Sequence, residues 1–327
     1  MSPDRKLAMY SGAGNDFLIL DERYEPELGD ASAEARALCR RGVSIGADGL
    51  VLLSFSDVGE ETGAVARMRL WNADGSGAEF SGNAARCAVR YLVDEDLASG
   101  TVRLQTDIGV VSGEVQGRTV KVTVPGLARV YGQRRIRVEG RDLLGTYVQV
   151  GVPFFVLLHD DPDDLPVRYL GRAIRNHPDL QPAGANVAFA RVDDEQGLYF
   201  RVYERGVENE TLSSGTGSIA AALAAAVADR VASPVACQAK GGTLTVRFRP
   251  LTPQQAAALK PTPGVDASTA TAETEPALTA EHEADPEPAP GPKVAEGEPW
   301  LFSDIEIEGD TRRLLTGTAC ADALRFR

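Results

Sequence analysis

Two Ser-Gly pairs in this chain are each followed by a run built for a helix. Ser81-Gly82-Asn83 opens FSGNAARCAVRYLV (80–93), and Ser214-Gly215-Thr216-Gly217 leads into SIAAALAAAVADR. Both runs are rich in good helix formers, so a helix is predicted to start just after each serine. A helix N-terminus presents backbone N–H groups with no partner inside the helix and about half a positive charge, which suits a carboxylate or a phosphate. Two such ends facing one space suit a single carboxylate held from two sides. Serine is also the ordinary N-cap residue, so either start taken alone reads equally well as structural.

The segments that lead into these helices repeat. SGAGNDFLILD (11–21) is echoed by VQVGVPFFVLLHD (148–160), GADGLVLL (46–53) by GANVAFARV (184–192), MRLWNADGS (68–76) by FRVYERGVE (200–208), and FSGNAARCAVRYLV by SSGTGSIAAALAAAV (213–227). The intervals agree: Gly14 to Gly46 is 32 residues and Gly151 to Gly184 is 33, while Trp71 to Ser81 is 10 and Tyr203 to Ser214 is 11. Four landmarks in the same order indicate an internal duplication. Each copy passes through apolar β-rich segments, such as TVRLQTDIGVVSGEV and TVKVTVPGL, before or after its helix. The stretch Ile219 to Val227 is too apolar all round for a surface helix. The fold expected is therefore α/β, with two pseudo-symmetric lobes, each a barrel-like sheet around a central helix, and a cleft between them, where pockets tend to form. The boundaries read as 1–130 for the first lobe, 131–250 for the second, and 299–327 for closing strands. Residues 251–298 carry nine acids, two lysines, eight of the 19 prolines and no aromatic residue. Such a segment buries too little to offset its ordering entropy, so it reads as a disordered insertion in a hairpin loop.

Composition narrows the function classes. The net charge is −13, of which about −6 remains once the insertion is set aside, and this argues against nucleic acid as a partner. No apolar run is long enough to cross a membrane and the N-terminus lacks a signal-peptide core, so a cytoplasmic location is expected. Cys39, Cys87, Cys237 and Cys320 are scattered without metal-ligand spacing, and there are only three histidines, so no metal site is expected. GAGND is not a GxGxxG turn and has no βαβ context, so no nucleotide cofactor is expected either.

GAGNDF (12–17), GADG (46–49), NADGS (72–76), SGNAARC (81–87), GANVAF (184–189), YERGVENET (203–211) and SGTGS (214–218) resemble the signature segments of the diaminopimelate epimerase family, over essentially the whole chain outside the insertion. The resemblance implies a cofactor-independent isomerase that interconverts LL- and meso-diaminopimelate for lysine and peptidoglycan synthesis, acting on a small amino acid. In that family one cysteine from each lobe faces the substrate Cα, one taking the proton and the other giving one back. The resemblance assigns Asn15, Asn72 and Asn186 to the polar ends of the substrate, Glu204 and Arg205 to its distal amino and carboxyl groups, and Gly82, Asn83, Gly215 and Thr216 to the carboxylate at the reacting carbon. Family members often pair as dimers, which makes a homodimer the assembly to look for.

The positions of the two family cysteines are Ser81 and Ser214 here. A thiol at a helix N-terminus yields thiolate near neutrality, whereas an alcohol needs a neighbouring base, and neither serine has an obvious one in the sequence. The family's Gly-Asn-Pro-His segment is Gly151-Val152-Pro153-Phe154, and Gly49 stands where some members have glutamine. Cys87 lies six residues beyond Ser81, about 9 Å along the helix, and is expected to be buried. Three functions follow: an epimerase using Ser81 and Ser214 or other groups, an isomerase or dehydratase on the same scaffold using a carboxylate such as Asp74, Glu79, Glu208 or Glu210, or a catalytically impaired binding protein that keeps the pocket. The second has parallels in relatives resembling proline racemase and in the phenazine-biosynthesis isomerases.

Overall fold

The computed structural model describes residues 5–24, 29–182, 184–193, 197–252, 254–255 and 299–319. Nearly all of the 251–298 insertion, with His282, and the thiol of Cys320 lie outside the described residues. The first half runs through β1 (Arg5–Gly12), β2 (Asn15–Asp21), α1 (Ala31–Leu38), β3 (Gly49–Ser54), β4 (Ala66–Asn72), the short β5 (Gly77–Ala78), α2 (Gly82–Asp94), β6 (Val102–Thr106), β7 (Gly109–Gln116) and β8 (Thr119–Val124). The second half runs through β9 (Ala128–Val138), β10 (Arg141–Val150), β11 (Val152–Leu158), α3 (Val167–Arg175), β12 (Asn186–Val192), β13 (Leu198–Glu204), β14 (Asn209–Thr211), α4 (Gly215–Val227), β15 (Val235–Ala239), β16 (Gly242–Leu251) and the long β17 (Trp300–Ala319).

The strand pairings close two barrels. In the first, β1, β2, β3, β4, β6, β7, β8 and β17 pair in that order, and β17 returns to β1. In the second, β10, β11, β12, β13, β15, β16, β17 and β9 pair in that order, and β9 returns to β10. β17 belongs to both: residues 300–302 pair with β9, 301–309 with β16, 305–310 with β8 and 311–319 with β1. The parallel pairs recur at equivalent places, β2 with β3 and β4 with β6, then β11 with β12 and β13 with β15. A parallel pair needs a crossover, and the four helices supply them.

α2 and α4 are the crossovers that run inside. Gly82 to Val89 and Gly215 to Ala225 are buried without a break, against barrel strands on every side. A helix enclosed in this way must be narrow, which is why alanine dominates α4 and why its apolar character is all-round. Burial of Ile219 and Leu223, each fully buried, contributes roughly 2 kcal/mol apiece. α1 and α3 cover the outside, with Leu38 of α1 packed on Leu18, Leu20 and Leu50, and Ile174 of α3 packed with Phe155, Val187 and Tyr203 in the equivalent cluster. β2 and β3 are consequently buried on both faces, whereas β8 and β15 alternate buried and more exposed residues. Among the described residues no helix is long and apolar enough to cross a membrane.

Candidate active site

Ser81 and Ser214 cap α2 and α4 with the same backbone, φ −141° and ψ 123° in both. Ser81 Oγ accepts from the Ala84 N–H at 3.3 Å, and Ser214 Oγ from the Gly217 N–H at 3.1 Å. Each cap satisfies the third N–H of its helix, and the N–H groups of Gly82, Asn83, Gly215 and Thr216 remain as donors to an anion.

The two helix starts touch across the lobes. A Cβ on Gly215 would lie 3.2 Å from Gly82 Cα and 3.3 Å from Asn83 N, closer than an ordinary contact, so the approach of α2 and α4 depends on glycine at 215. Asn83 Nδ2 extends the junction by donating to Ser213 Oγ of the second lobe at 3.2 Å and to Asn15 Oδ1 of the first at 3.1 Å. On the far side, the turn after β13 packs its Gly206, at φ +86°, against Asn72; a Cβ there would sit 2.7 Å from Asn72 Nδ2.

Between these two cross-lobe contacts lies a cavity of about 420 Å3. Its walls include Asn15, Asn72, Asn83, Ser81, Asn186, Glu204, Arg205, Ser214, Gly215 and Thr216. Of the two serines and the substrate-binding residues that the family resemblance assigns, the structure brings together all but Gly82, which stands just behind, in the α2–α4 contact. Asn186 is held by its own hydrogen bonds, donating to the Pro153 carbonyl at 3.2 Å and accepting from the Arg205 N–H at 2.8 Å. Asn72 donates to Ser76 Oγ at 2.9 Å.

Glu204, which the family resemblance assigns to the distal groups of the substrate, lines the same cavity as Ser214. It ends β13, and the β13–β14 hairpin, with Val202 opposite Thr211, turns its carboxyl toward the start of α4. There the nearby hydroxyls of Ser214 and Thr211 favour its ionised form. Burial raises its pKa, and the negative charge of Asp48 adds to the rise while the two hydroxyls oppose it; the result is about 7. The carboxylates weighed from the sequence are placed differently. Asp74, Glu79 and Glu208 line the cavity, but Glu210 is clamped by Arg201 at 2.7 Å and Lys240 at 2.8 Å, outside the cavity walls, and is held below its usual range by those cations against the opposing effect of burial.

Two charged wall residues were not singled out in the sequence. Arg175, at the end of α3, pairs with Glu208 at 3.1 Å, and Asp48, before β3, accepts from Asn15 Nδ2 at 2.6 Å and from Arg41 at 2.9 Å. Asp48 lies within the GADG segment (46–49), which was a signal for it, whereas nothing in the local sequence of Arg175 marks it and it reaches the cavity only through the tertiary fold. Among the described residues the thiols, those of Cys39, Cys87 and Cys237, are not in the site. Cys87 and Cys39 are buried, and desolvation pushes each up to about 12; Cys237, also buried, is pushed up further. His177 caps a short turn through the Asp179 N–H, and His159 bonds to the Asp161 backbone, both away from the cavity. Among the described residues no group of three or more His, Cys, Asp or Glu side chains could hold a metal ion.

Comparison with known proteins agrees with this geometry. The family model described as diaminopimelate epimerase matches residues 7–126 and 146–255. The diaminopimelate epimerase of Aquifex aeolicus is 38% identical over 221 residues, covering 65% of this chain and 78% of that one. That of Moorella thermoacetica is 35% identical over 258 residues, covering 73% and 90%. Among solved structures, a hydroxyproline epimerase from Agrobacterium vitis superposes with a TM-score of 0.66 at 16% identity, covering 98% and 94% of the two chains, and a Bacillus anthracis protein of the phenazine-biosynthesis PhzF family with 0.63 at 12%, covering 97% and 99%. At these identities the structural likeness speaks for the shared two-lobed fold. The duplicated barrels, the helix starts meeting across one cavity, and a family match over most of the chain lead to one assignment: the protein belongs to the diaminopimelate epimerase family of isomerases.

Proposed function

We propose that this protein epimerises diaminopimelate, or an amino acid closely related to it, by proton removal and return at Cα, and that Glu204 is the base on one face. The observation that carries the proposal is the place of Glu204, on the cavity wall with Ser214 at the start of α4, where burial raises its pKa to about 7. An efficient general base has a pKa close to the working pH, and a serine gains basicity only through such a neighbour.

In this reading the α-carboxylate lies between the N–H groups of Gly82 and Asn83 on one side and Gly215 and Thr216 on the other. These donors and the positive ends of α2 and α4 stabilise the negative charge that moves onto the carboxylate as Cα loses its proton. The proton leaves on the Ser214 face and ends on the Glu204 carboxyl, directly or by way of the Ser214 hydroxyl. On the opposite face the Ser81 hydroxyl supplies a proton to the planar carbon and is reprotonated from water. The two faces are chemically unequal, because Glu204, with its raised pKa, lies near Ser214, whereas Ser81 Oγ has only the Ala84 N–H as its hydrogen-bond partner among the described residues. Proton removal is accordingly expected to be faster from the Ser214 face. Asn15, Asn72, Asn186 and Arg205 hold the rest of the zwitterion, with the Arg205 guanidinium suited to bidentate grip of a distal carboxylate. Such an activity places the protein in lysine and peptidoglycan synthesis.

Proton NMR of LL- and meso-diaminopimelate in deuterium oxide tests this reading, with the native protein beside a Ser81→Cys, Ser214→Cys double variant. Loss of the Cα–H signal with the native protein is the expected result. Exchange only in the double variant would mean that the pocket binds this amino acid without turning it over, and silence in both would reject diaminopimelate as the ligand.

A further inference from the structure

Arg86, on α2 one turn beyond the helix start, is a fully buried guanidinium that the proposed chemistry does not use. Its Nη2 donates to Asn83 Oδ1 at 2.7 Å, its Nη1 reaches the Gly82 carbonyl at 3.4 Å, and its Nε has no hydrogen-bond partner. The chamber around it is walled by glycines of two strands. A Cβ on Gly12 of β1 would lie 3.2 Å from Nη2, and one on Gly309 of β17 would lie 3.6 Å from Cζ. Burying a guanidinium without a hydrogen-bonded carboxylate is costly, and an apolar residue of similar volume would pack there at less cost.

Asn83 is the first member of a chain of amides. With Oδ1 taken by Arg86, its Nδ2 donates to Asn15 Oδ1 and to Ser213 Oγ. Asn15 then turns its own Nδ2 to Asp48 Oδ2 at 2.6 Å, and Arg41 donates to the other oxygen of Asp48. The chain begins at a residue that can only donate and ends at a carboxylate that accepts from Asn15 and Arg41, so each amide has one favoured orientation. Flipping Asn83 would set its N–H groups against Arg86 and its oxygen against Asn15 Oδ1.

We infer that Arg86 is a positioning residue, which locks the Asn83 amide and through it fixes Asn15 in the cavity and Ser213 across the lobe junction. The inference rests on the reading of that cavity as the amino-acid site. Arg86 touches no substrate; its effect on turnover passes through Asn83, whose backbone N–H and side chain both belong to the site.

The test joins kinetics to a readout that needs no turnover. In Arg86→Met, kcat/KM for Cα–H exchange of diaminopimelate is expected to fall about 10- to 100-fold, mostly through KM, with the thermal midpoint unchanged or raised. Arg86→Lys, which keeps charge and donor, should recover most of the loss. Asn83→Ala should fall comparably, and adding Arg86→Met to it should cost nothing more. With the asparagines 15N-labelled, the Asn83 side-chain NH2 signals, assigned by their absence in Asn83→Ala, should shift and lose protection from solvent exchange in Arg86→Met. Unchanged Asn83 signals, or losses in the double variant that multiply, would overturn the inference. Should Arg86→Met not fold, Arg86→Gln, whose amide is too short to reach Asn83 Oδ1, carries the same comparison with the same expected and overturning results. A native protein that exchanges no Cα–H rejects the proposed function, and the NH2 signals still decide the role of Arg86.

Discussion

Replacing Glu204 by glutamine removes the titration of the carboxyl while keeping its shape. The native carboxyl rises from an ordinary value of 4.5 to about 7, roughly 2.5 units, and each unit corresponds to about 1.4 kcal/mol, so ionising it inside the folded protein costs about 3 kcal/mol more than in the unfolded chain. The sign follows from the raised folded value. Below pH 4.5 both states are protonated and the full stability is present; between pH 4.5 and 7 the unfolded chain ionises first and stability is lost; above about 7 the loss is complete. Glu204→Gln should therefore gain up to about 3 kcal/mol over the native protein as pH rises through that window, measured as the difference in denaturant unfolding free energy at pH 4.5 and pH 8. Activity should move the other way. The native kcat/KM for Cα–H exchange should rise with pH through about 7, and the variant should lose about 10²–10⁴-fold, the usual contribution of a general base. A variant that keeps native kcat and raises only KM would show Glu204 holding the substrate amine, the role that the family resemblance assigns to it, and would refute its role as the base. A flat stability difference between pH 4.5 and 8 would refute the burial argument itself.

Two further predictions follow from packing. Gly215→Ala places a methyl 3.2 Å from Gly82 Cα and should force α2 and α4 apart, lowering stability by about 1–3 kcal/mol and weakening diaminopimelate binding at least tenfold by calorimetry. Native binding by this variant would mean that the carboxylate is not held between the two helix starts. Cys39, Cys87 and Cys237 should resist a thiol reagent at pH 8 until denaturant is added, because burial keeps them protonated. Fast labelling of any of the three in the native protein would contradict their burial.

Much of the architecture is local and was readable along the chain. A Ser-Gly pair before an alanine-rich run predicts an N-capped helix because capping and propensity act over a few residues, and both helices begin at the predicted serines. The duplication was readable because each copy repeats the same turn, strand and helix landmarks, and the two barrels repeat the same pairings. The cavity residues were readable as a set through their motifs, and they line one cavity. What they do there was not. Glu204 and Ser214 are ten residues apart, and only the β13–β14 hairpin and the burial that barrel closure imposes turn an ordinary glutamate into a group poised near pH 7. The same holds for Arg86, which resembles any helical arginine until β1 and β17 close over it, and for β17, one strand from beyond the insertion that completes both barrels. Propensity and capping depend on near neighbours and are written in the sequence; solvent exclusion and proton affinity depend on every chain segment that arrives from afar, and only the tertiary structure decides them.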